Sequence, residues 1–265
     1  MTTDKKIPCI FLAFFDKPTI KKSLEWLIKE EVFDIHVIEN FSQNTEKDIK
    51  PFLMEKLDKG EIKKYILFDQ NISNNAFQVV LENEHIDLSH SKYICLTDGD
   101  VISTGDGWLQ KQIDVLETCP EVFACAIYID DKNLPIEAFP NAKIWLHKPR
   151  SITDKYIEVA TGHHMVLLET KYIKPFLKFI RERNMKYLDV SFMKFANSLK
   201  KKWTTIKDIK LVHLTWDLYS DLSHPYTVMK LGKSLQNHWN HSRVSNYFIY
   251  TKNNGKIEME TFNCK

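Results

Sequence analysis

The sequence predicts an α/β fold, a mixed and mostly parallel sheet with helices on both faces. Three observations predict it. Four short apolar runs, rich in β-branched and aromatic residues, alternate with segments of helical periodicity between Ile7 and Val101. Such β-α alternation implies right-handed crossovers and a parallel sheet. Three of the runs end in polar clusters, Glu39/Asn40/Ser42, Asp69/Asn71/Asn74 and Asp98/Asp100, which in such a sheet open onto one edge, where ligands bind. With 265 residues, 43% hydrophobic and 12% aromatic, the chain is also long enough to bury a full core.

Residues 7–15 are a nearly continuous apolar run and make the first central strand. Asp16-Lys17-Pro18 breaks it; proline suits a helix start, and Ile20, Leu24, Leu27 and Ile28 then recur at helical spacing. Residues 33–38 form the second strand, followed by a helical segment to about Leu57 that Lys59-Gly60 closes. Residues 65–68 are the third strand, 76–84 a helix, and 93–96 the fourth strand, which stops at Thr97-Asp98-Gly99-Asp100. A helix over 108–117 is ended by Cys119-Pro120, and 122–129 is a further strand. Residues 130–158 contain Pro135, Pro140 and Pro149 and read as irregular. Their basic set, Lys143, His147, Lys148 and Arg150, is either solvated or reaches a phosphate or an acidic acceptor.

Thr161-Gly162-His163-His164 is a turn feeding a strand. Adjacent residues of a strand point to opposite faces, so the two histidines are not read as a ligand set. Helices over 172–183 and from about 186 precede two short strands, 203–206 and 209–212, which lead to His213. The tail is rich in aromatic residues. Val228, Leu231, Leu235 and Trp239 recur at helical spacing there, and 247–250 reads as a strand. Trp216, Tyr219, Tyr226 and Trp239 serve either acceptor stacking or core packing.

Composition excludes several classes. The 37 basic and 35 acidic residues leave a net charge of +2, without the basic footprint of a nucleic-acid binder. Lysine clusters at 21–22, 63–64 and 200–202 are solvated, with at most a weak pull toward an anionic membrane surface. Cys9, Cys95, Cys119, Cys125 and Cys264 form no C-x-x-C pair and read as free thiols in a reducing compartment. There is no signal-peptide pattern and no apolar stretch of the roughly 20 residues that span a bilayer. The expected location is cytoplasmic, with any membrane contact peripheral and at the inner face.

The chemistry concentrates at Asp98-Gly99-Asp100. Two carboxylates at a strand end repel each other, and a cation is the natural third party. Oxygen ligands with room for water suit Mg²⁺ or Mn²⁺, and such an ion carries a diphosphate. Asp-Gly is equally a turn dipeptide, so a hairpin corner is the plain alternative. Asp98-Gly99-Asp100-Val101 also resembles the D-x-D-x-[T/V] motif of haloacid dehalogenase-type phosphatases. There the motif ends the first strand, whereas three β-α units precede it here. A catalytically silent sugar- or nucleotide-binding module is the remaining alternative.

Over residues 7–216 the motifs, taken in order, resemble inverting family 2-type glycosyltransferases of the GT-A fold. The opening strand with Asp16-Lys17-Pro18, Ile38-Glu39-Asn40-Phe41-Ser42, Asn71-Ile72-Ser73, Thr97-Asp98-Gly99-Asp100, Thr161-Gly162, Leu188-Asp189 and His213 carry the resemblance. Glu39, Phe41, Ser73 and Leu188 depart from that family's usual residues. The resemblance implies a Rossmann-like nucleotide-diphospho-sugar transferase domain over 1–216, its nucleotide half about 1–101 and its acceptor half about 102–216. Residues 217–265 are then a C-terminal extension packed on the core for acceptor binding or oligomerisation. It implies nucleotide contacts from Phe14, Asp16, Glu39, Asn40, Ser42, Asp69, Asn71, Asn74, Thr97, Asp98 and Gly99. It also implies Mn²⁺ or Mg²⁺ on Asp98, Asp100 and His213, and Asp189 as general base. The implied partners are a nucleoside-diphosphate sugar, UDP-sugar favoured, and a hydroxyl on a bacterial surface glycan such as lipooligosaccharide or capsule, with inversion at the anomeric carbon.

Overall fold

The computed structural model describes residues 6–146, 148–160, 164–185, 188–232 and 246–263. Its first half follows the expected alternation: β1 (Ile7–Ala13), α1 (Lys17–Ile28), β2 (Phe33–Glu39), a π-helical turn (Thr45–Ile49) running into α2 (Lys50–Asp58), β3 (Lys64–Phe68), α3 (Asn75–Glu82) and β4 (Tyr93–Asp98). β1 pairs in parallel with β2 and β4, and β2 with β3, so all four carboxyl ends face one edge. β1 stops two residues short of the apolar run. Phe15 adopts φ 67°, a costly left-handed conformation for a bulky residue, and turns the chain. Asp16 then caps α1, its Oδ2 accepting from the Thr19 amide at 3.0 Å.

The second half departs from expectation. It comprises β5 (Val101–Ser103), α4 (Trp108–Thr118), β6 (Val122–Ile129), a 3₁₀ turn (Ala142–Trp145), β7 (Ser151–Ile152), β8 (Ile157–Val159), β9 (Val166–Glu169), α5 (Ile173–Glu182), α6 (Leu188–Ser198), β10 (Lys202–His213), α7 (Thr215–Leu218), α8 (Pro225–Gly232), β11 (Asn246–Asn253) and β12 (Lys256–Asn263). The strands form one sheet in the order β12-β11-β3-β2-β1-β4-β9-β6-β10-β8-β7, with β5 paired to β10 off that path.

The sheet is therefore mixed, not mostly parallel. Beyond the three parallel pairings of the first half, only β6–β10 is parallel among the described residues. β4–β9, β6–β9, β5–β10, β8–β10, β7–β8, β3–β11 and β11–β12 are all antiparallel. The cause lies in the connections. Parallel neighbours need a helix-sized crossover, and the described chain between β6 and β9 forms one 3₁₀ turn and the β7–β8 hairpin instead. The two short strands expected before His213 are one strand, β10, with a register irregularity between Ile206 and Lys210. The tail joins the sheet: β11 adds to β3 and β12 to β11, around Gly255 at φ 78°. Leu235 and Trp239 lie outside the described residues.

Helices do cover both faces, and strand alternation sorts the side chains between them. Cys9, Phe11 and Ala13 of β1 pack with Ile20 and Leu24 of α1, Leu53 of α2 and Trp108 of α4. Ile10 and Leu12 face the other way, toward Phe77 of α3, Phe176 of α5 and Phe192 of α6. Phe176 and Phe192 stack at 3.9 Å between centroids. Cys9, Cys95, Cys119 and Cys125 are buried free thiols, and Cys264 lies outside the described residues. No described helix is long and apolar enough to cross a membrane.

His36 ties the stability of the core to pH. His36 of β2 is buried, and burial, with Lys64 and Lys63 adding to it, lowers its pKa to about 3. In the unfolded chain it keeps a value near 6.5. A folded-state pKa below the unfolded one means that its contribution is complete above about pH 6.5 and is lost as pH falls toward 3. Between neutral pH and pH 5 this amounts to about 2 kcal/mol. Urea denaturation of wild type and His36→Gln at pH 7.5 and 5 measures it. Wild type is expected to lose about 2 kcal/mol more than the variant on acidification, and equal losses contradict the assignment.

Candidate functional site

Four ionisable side chains meet at the carboxyl edge of the sheet, and the topology brings each one there. Asp98 ends β4. Gly99 then passes flush against β1: a Cβ there would lie 2.5 Å from the Leu12 carbonyl oxygen and 2.9 Å from the Phe11 ring. Asp100 leads into β5, which is tied to α1 by the Ser23 hydroxyl donating to the Val101 carbonyl at 2.6 Å. Val101 pairs with His213 at the end of β10, and the Leu214 amide donates to the Asp100 carbonyl at 2.7 Å. His164 arrives from the other direction. β9 runs antiparallel to β4 with Val166 opposite Leu96, so the residues just before β9 stand where β4 ends.

The four groups form two acid–imidazole pairs. His164 Nδ1 is 2.9 Å from Asp98 Oδ2, and His213 Nδ1 is 3.5 Å from Asp100 Oδ2. The Thr215 hydroxyl donates to Asp100 Oδ2 at 2.8 Å and lies 3.1 Å from His213 Nδ1. The two imidazoles meet edge to face at 5.5 Å, and Trp216 stacks on His213 at 4.8 Å and 7°. Burial opposes a proton on His164, but Asp98 and then Asp100 outweigh it and raise its pKa. On His213 burial prevails over Asp100, with His164 adding to it, and the pKa is lowered. The same cluster thus shifts the two imidazoles in opposite directions.

The remaining expected nucleotide contacts brace the neighbouring loops. Glu39 is fully buried; its carboxylate accepts from the Thr45 hydroxyl at 2.6 Å and the Tyr65 hydroxyl at 2.5 Å. Burial raises its pKa to about 7 against the pull of those two donors. Asn40 ties the second loop to the third, accepting from the Ile72 amide at 3.1 Å and donating to the Ser73 carbonyl at 3.2 Å. Ser42 bonds to Thr45, and Asn71 accepts from the Ser73 amide in a local turn. Asn74 precedes α3, Asp69 is exposed, and Thr97 donates to the Asp98 carbonyl. Phe14 is half-buried beside Phe15. Asp16 Oδ1 stands 3.9 Å from His224 Nε2, while Phe15 packs on Tyr226, so the first loop meets the segment after α7.

Asp189 is the second residue of α6; its side chain lies outside the described residues, as do Thr161, Gly162, His163 and His147. Lys143, Lys148 and Arg150 are exposed. Trp216, Tyr219 and Tyr226 are buried, with Phe139 and Trp145 packed over them. Sequence reasoning missed His164 and Thr215. The signal for His164 was its place directly before a strand, but only an antiparallel strand brings that end to the site.

Two carboxylates and two imidazoles are donors a divalent ion accepts. They stand as pairs: among the described residues no three His, Cys, Asp or Glu side chains converge on one point. The donor types suit such an ion, but as placed here Asp98, Asp100 and His213 do not share a position where one would sit.

No family model matches the chain. Three proteins of Acanthamoeba polyphaga mimivirus, each named only as uncharacterized, are similar to it. One is 37% identical over 262 residues, covering 97% of this chain and 35% of that protein. Another is 39% identical over 231 residues, covering 85% and 47%. A third is 32% identical over 255 residues, covering 94% and 29%. The chain thus spans between about a third and a half of the curated relatives it matches. Among solved structures, two crystal structures of the glycosyltransferase GlyE of Streptococcus pneumoniae TIGR4, one of them the apo form, superpose with a TM-score of 0.37 at 11% and 12% identity. They cover 89% and 86% of this chain and about half of GlyE. A superposition that loose establishes neither a shared fold nor an activity.

Gly99 gives the geometry a direct test. In Gly99→Ala the new methyl meets backbone, so β1 and β4 must separate at a cost of about 1–3 kcal/mol. Chemical denaturation is expected to show that loss, and unchanged stability contradicts the close approach.

Proposed function

We propose that this chain transfers a sugar from a nucleoside-diphosphate sugar to a hydroxyl acceptor, with inversion at the anomeric carbon. One observation carries the reading. Asp98 and Asp100 are held at the carboxyl edge of the sheet, and His213 is delivered to them from more than a hundred residues away by the β5–β10 pairing. A plain hairpin corner has no need of that convergence. A divalent ion arriving with the donor would have to draw Asp98, Asp100 and His213 together to offset the negative charge that develops on a departing diphosphate. Nor does the motif suit the phosphatase alternative, because it ends the fourth strand of the chain and not the first.

The chain's own residues supply the rest. Thr215 fixes the Asp100 carboxylate through its hydroxyl, and Trp216 fixes the plane of the His213 ring. The second and third loops, cross-tied by Asn40, frame the space beside the edge where a nucleoside is proposed to lie, UDP-sugar being the favoured donor. Glu39 serves that frame from inside, through Thr45 and Tyr65. Asp189 is the proposed general base, taking the proton from the acceptor hydroxyl as it attacks. The acceptor is assigned only as a glycan hydroxyl.

Calorimetric titration with nucleoside-diphosphate sugars in Mn²⁺, paired with a transfer assay, tests the reading. Asp100→Asn is expected to weaken donor binding roughly tenfold or more, in line with removal of a charged hydrogen-bonding group. Asp189→Asn is expected to bind donor normally and transfer nothing. Donor binding that ignores Asp100→Asn sinks the proposal; binding without turnover in wild type makes the chain a sugar-nucleotide-binding module.

A further inference from the structure

We propose that Glu39 is a proton-controlled positioning residue: gaining or losing one proton, it resets the turn at residues 42–45 beside the candidate site. The consequence for a sugar donor rests on the reading above; the switch itself does not.

Hydrogen-bond direction carries the inference. Glu39 is fully buried and its carboxyl has two partners, both hydroxyls, Thr45 at 2.6 Å and Tyr65 at 2.5 Å. Lys50, whose charge favours the carboxylate, is engaged by Glu46 at 3.0 Å. An ionised Glu39 accepts from both hydroxyls. A neutral one carries a hydrogen of its own, so one of those hydroxyls must turn its hydrogen elsewhere. The Tyr65 hydroxyl has no second partner among the described residues, and Tyr250 stacks on its ring. The Thr45 hydroxyl has one, the Ser42 hydroxyl 3.4 Å away. The proton therefore goes to Oε1, and Thr45 turns to Ser42.

That reversal does not stay local. Thr45 Oγ1 also accepts from the Ser42 amide at 2.8 Å, and Ser42 Oγ accepts from the Asn44 amide at 3.3 Å. Asn44 in turn donates to the Phe15 carbonyl at 2.8 Å, at the left-handed turn after β1. One proton on Glu39 thus reaches two of the loops at the carboxyl edge.

The surroundings set the pH range. Burial raises the Glu39 pKa to about 7, against Thr45, Tyr65 and Lys50 and with Glu46 adding to it. Burial, with Glu39 adding to it, also raises the Tyr65 pKa, so Tyr65 stays a phenol. On Lys50 burial opposes the charge, but Glu46 outweighs it and raises the pKa. Glu39 is thus the member of this buried group that changes charge near neutral pH. The ionised form, which fastens Thr45 inward as the structure shows, is the one that presents the loop to a nucleotide.

The test is carbon NMR of the whole chain labelled at its glutamate carboxyls, titrated without donor from about pH 5 to 9, beside Glu39→Gln. Wild type is expected to show a carboxyl with a midpoint of about 7 that the variant lacks, and Ser42 and Thr45 amides that move with it. Assignment of Glu39 through its own side chain makes the wild-type result decisive even if the variant folds poorly. A Glu39 midpoint at the ordinary 4.5, or amides that ignore it, overturns the inference. UDP affinity is then measured by calorimetry at about pH 6 and 8. Glu39 is about one-eleventh ionised at the lower pH and ten-elevenths at the upper, so wild type is expected to bind about tenfold more tightly at pH 8. Glu39→Gln, which keeps every other titrating group, is expected to lose that factor and to bind weakly at both. A tenfold factor that persists in the variant belongs to other groups and overturns the link to the donor. If wild type binds no UDP at either pH, the favoured donor reading fails, while the carboxyl titration still decides the switch.

Discussion

Between β4 and β6 the sheet admits a strand that runs against both of its neighbours. β9 hydrogen-bonds to Tyr93–Leu96 on one side and to Ala124 and Cys125 on the other. Its outward face packs Val166 and Leu168 into the α5–α6 side of the core, and Leu167 goes to the opposite side. A one-residue slip would exchange those faces, so burial fixes the register. That register sets the end of the sheet at which His164 stands. β6 and β10, parallel to each other beyond β9, run in the same sense as β4, so β10 ends where β4 ends. The acid–imidazole group is thus a consequence of strand direction before it is one of side-chain chemistry.

Close packing then sets the spacing. Gly99 lets the chain leave β4 in contact with the Leu12 carbonyl, which leaves the two aspartates on one short segment. Thr215 and Leu214 hold Asp100 from the β10 side, through its carboxylate and its carbonyl respectively. Behind His213 the rings of Trp216, Trp145, Phe139, Tyr219 and Tyr226 pack in sequence toward Phe15. This aromatic train links the histidine end of the site to the strained turn after β1. Trp216, Tyr219 and Tyr226 are therefore packing side chains here, not exposed platforms.

The first half of the fold was legible because its β-α units are local. Each apolar run is followed by helical periodicity and a break, and the polar residue at each strand end marks the edge. Asp98 and Asp100 were marked by that pattern, whereas His213 was singled out only by the family resemblance. The second half was not. β5 is three residues long, and β12 exposes Glu258 and Glu260 beside Ile257 and Met259, as a solvent-facing edge strand does. Residues 151–159 hide a short hairpin among polar and charged residues, just after Pro149. His164 was set aside because adjacent residues of a strand point to opposite faces; its place beside Asp98 comes from β9 running antiparallel to β4. Strand direction is set by tertiary pairing, and no local pattern in 130–164 declares it.

The account turns on His164 and His213 sharing one corner of the sheet. Proton–proton cross-relaxation between the two imidazole rings, in the assigned spectrum of the metal-free chain, tests this directly. Edge-to-face rings 5.5 Å apart between centroids should give a cross-peak that disappears in His164→Gln. Both rings assigned and no cross-peak between them would place β9 otherwise, and the site would not exist as described.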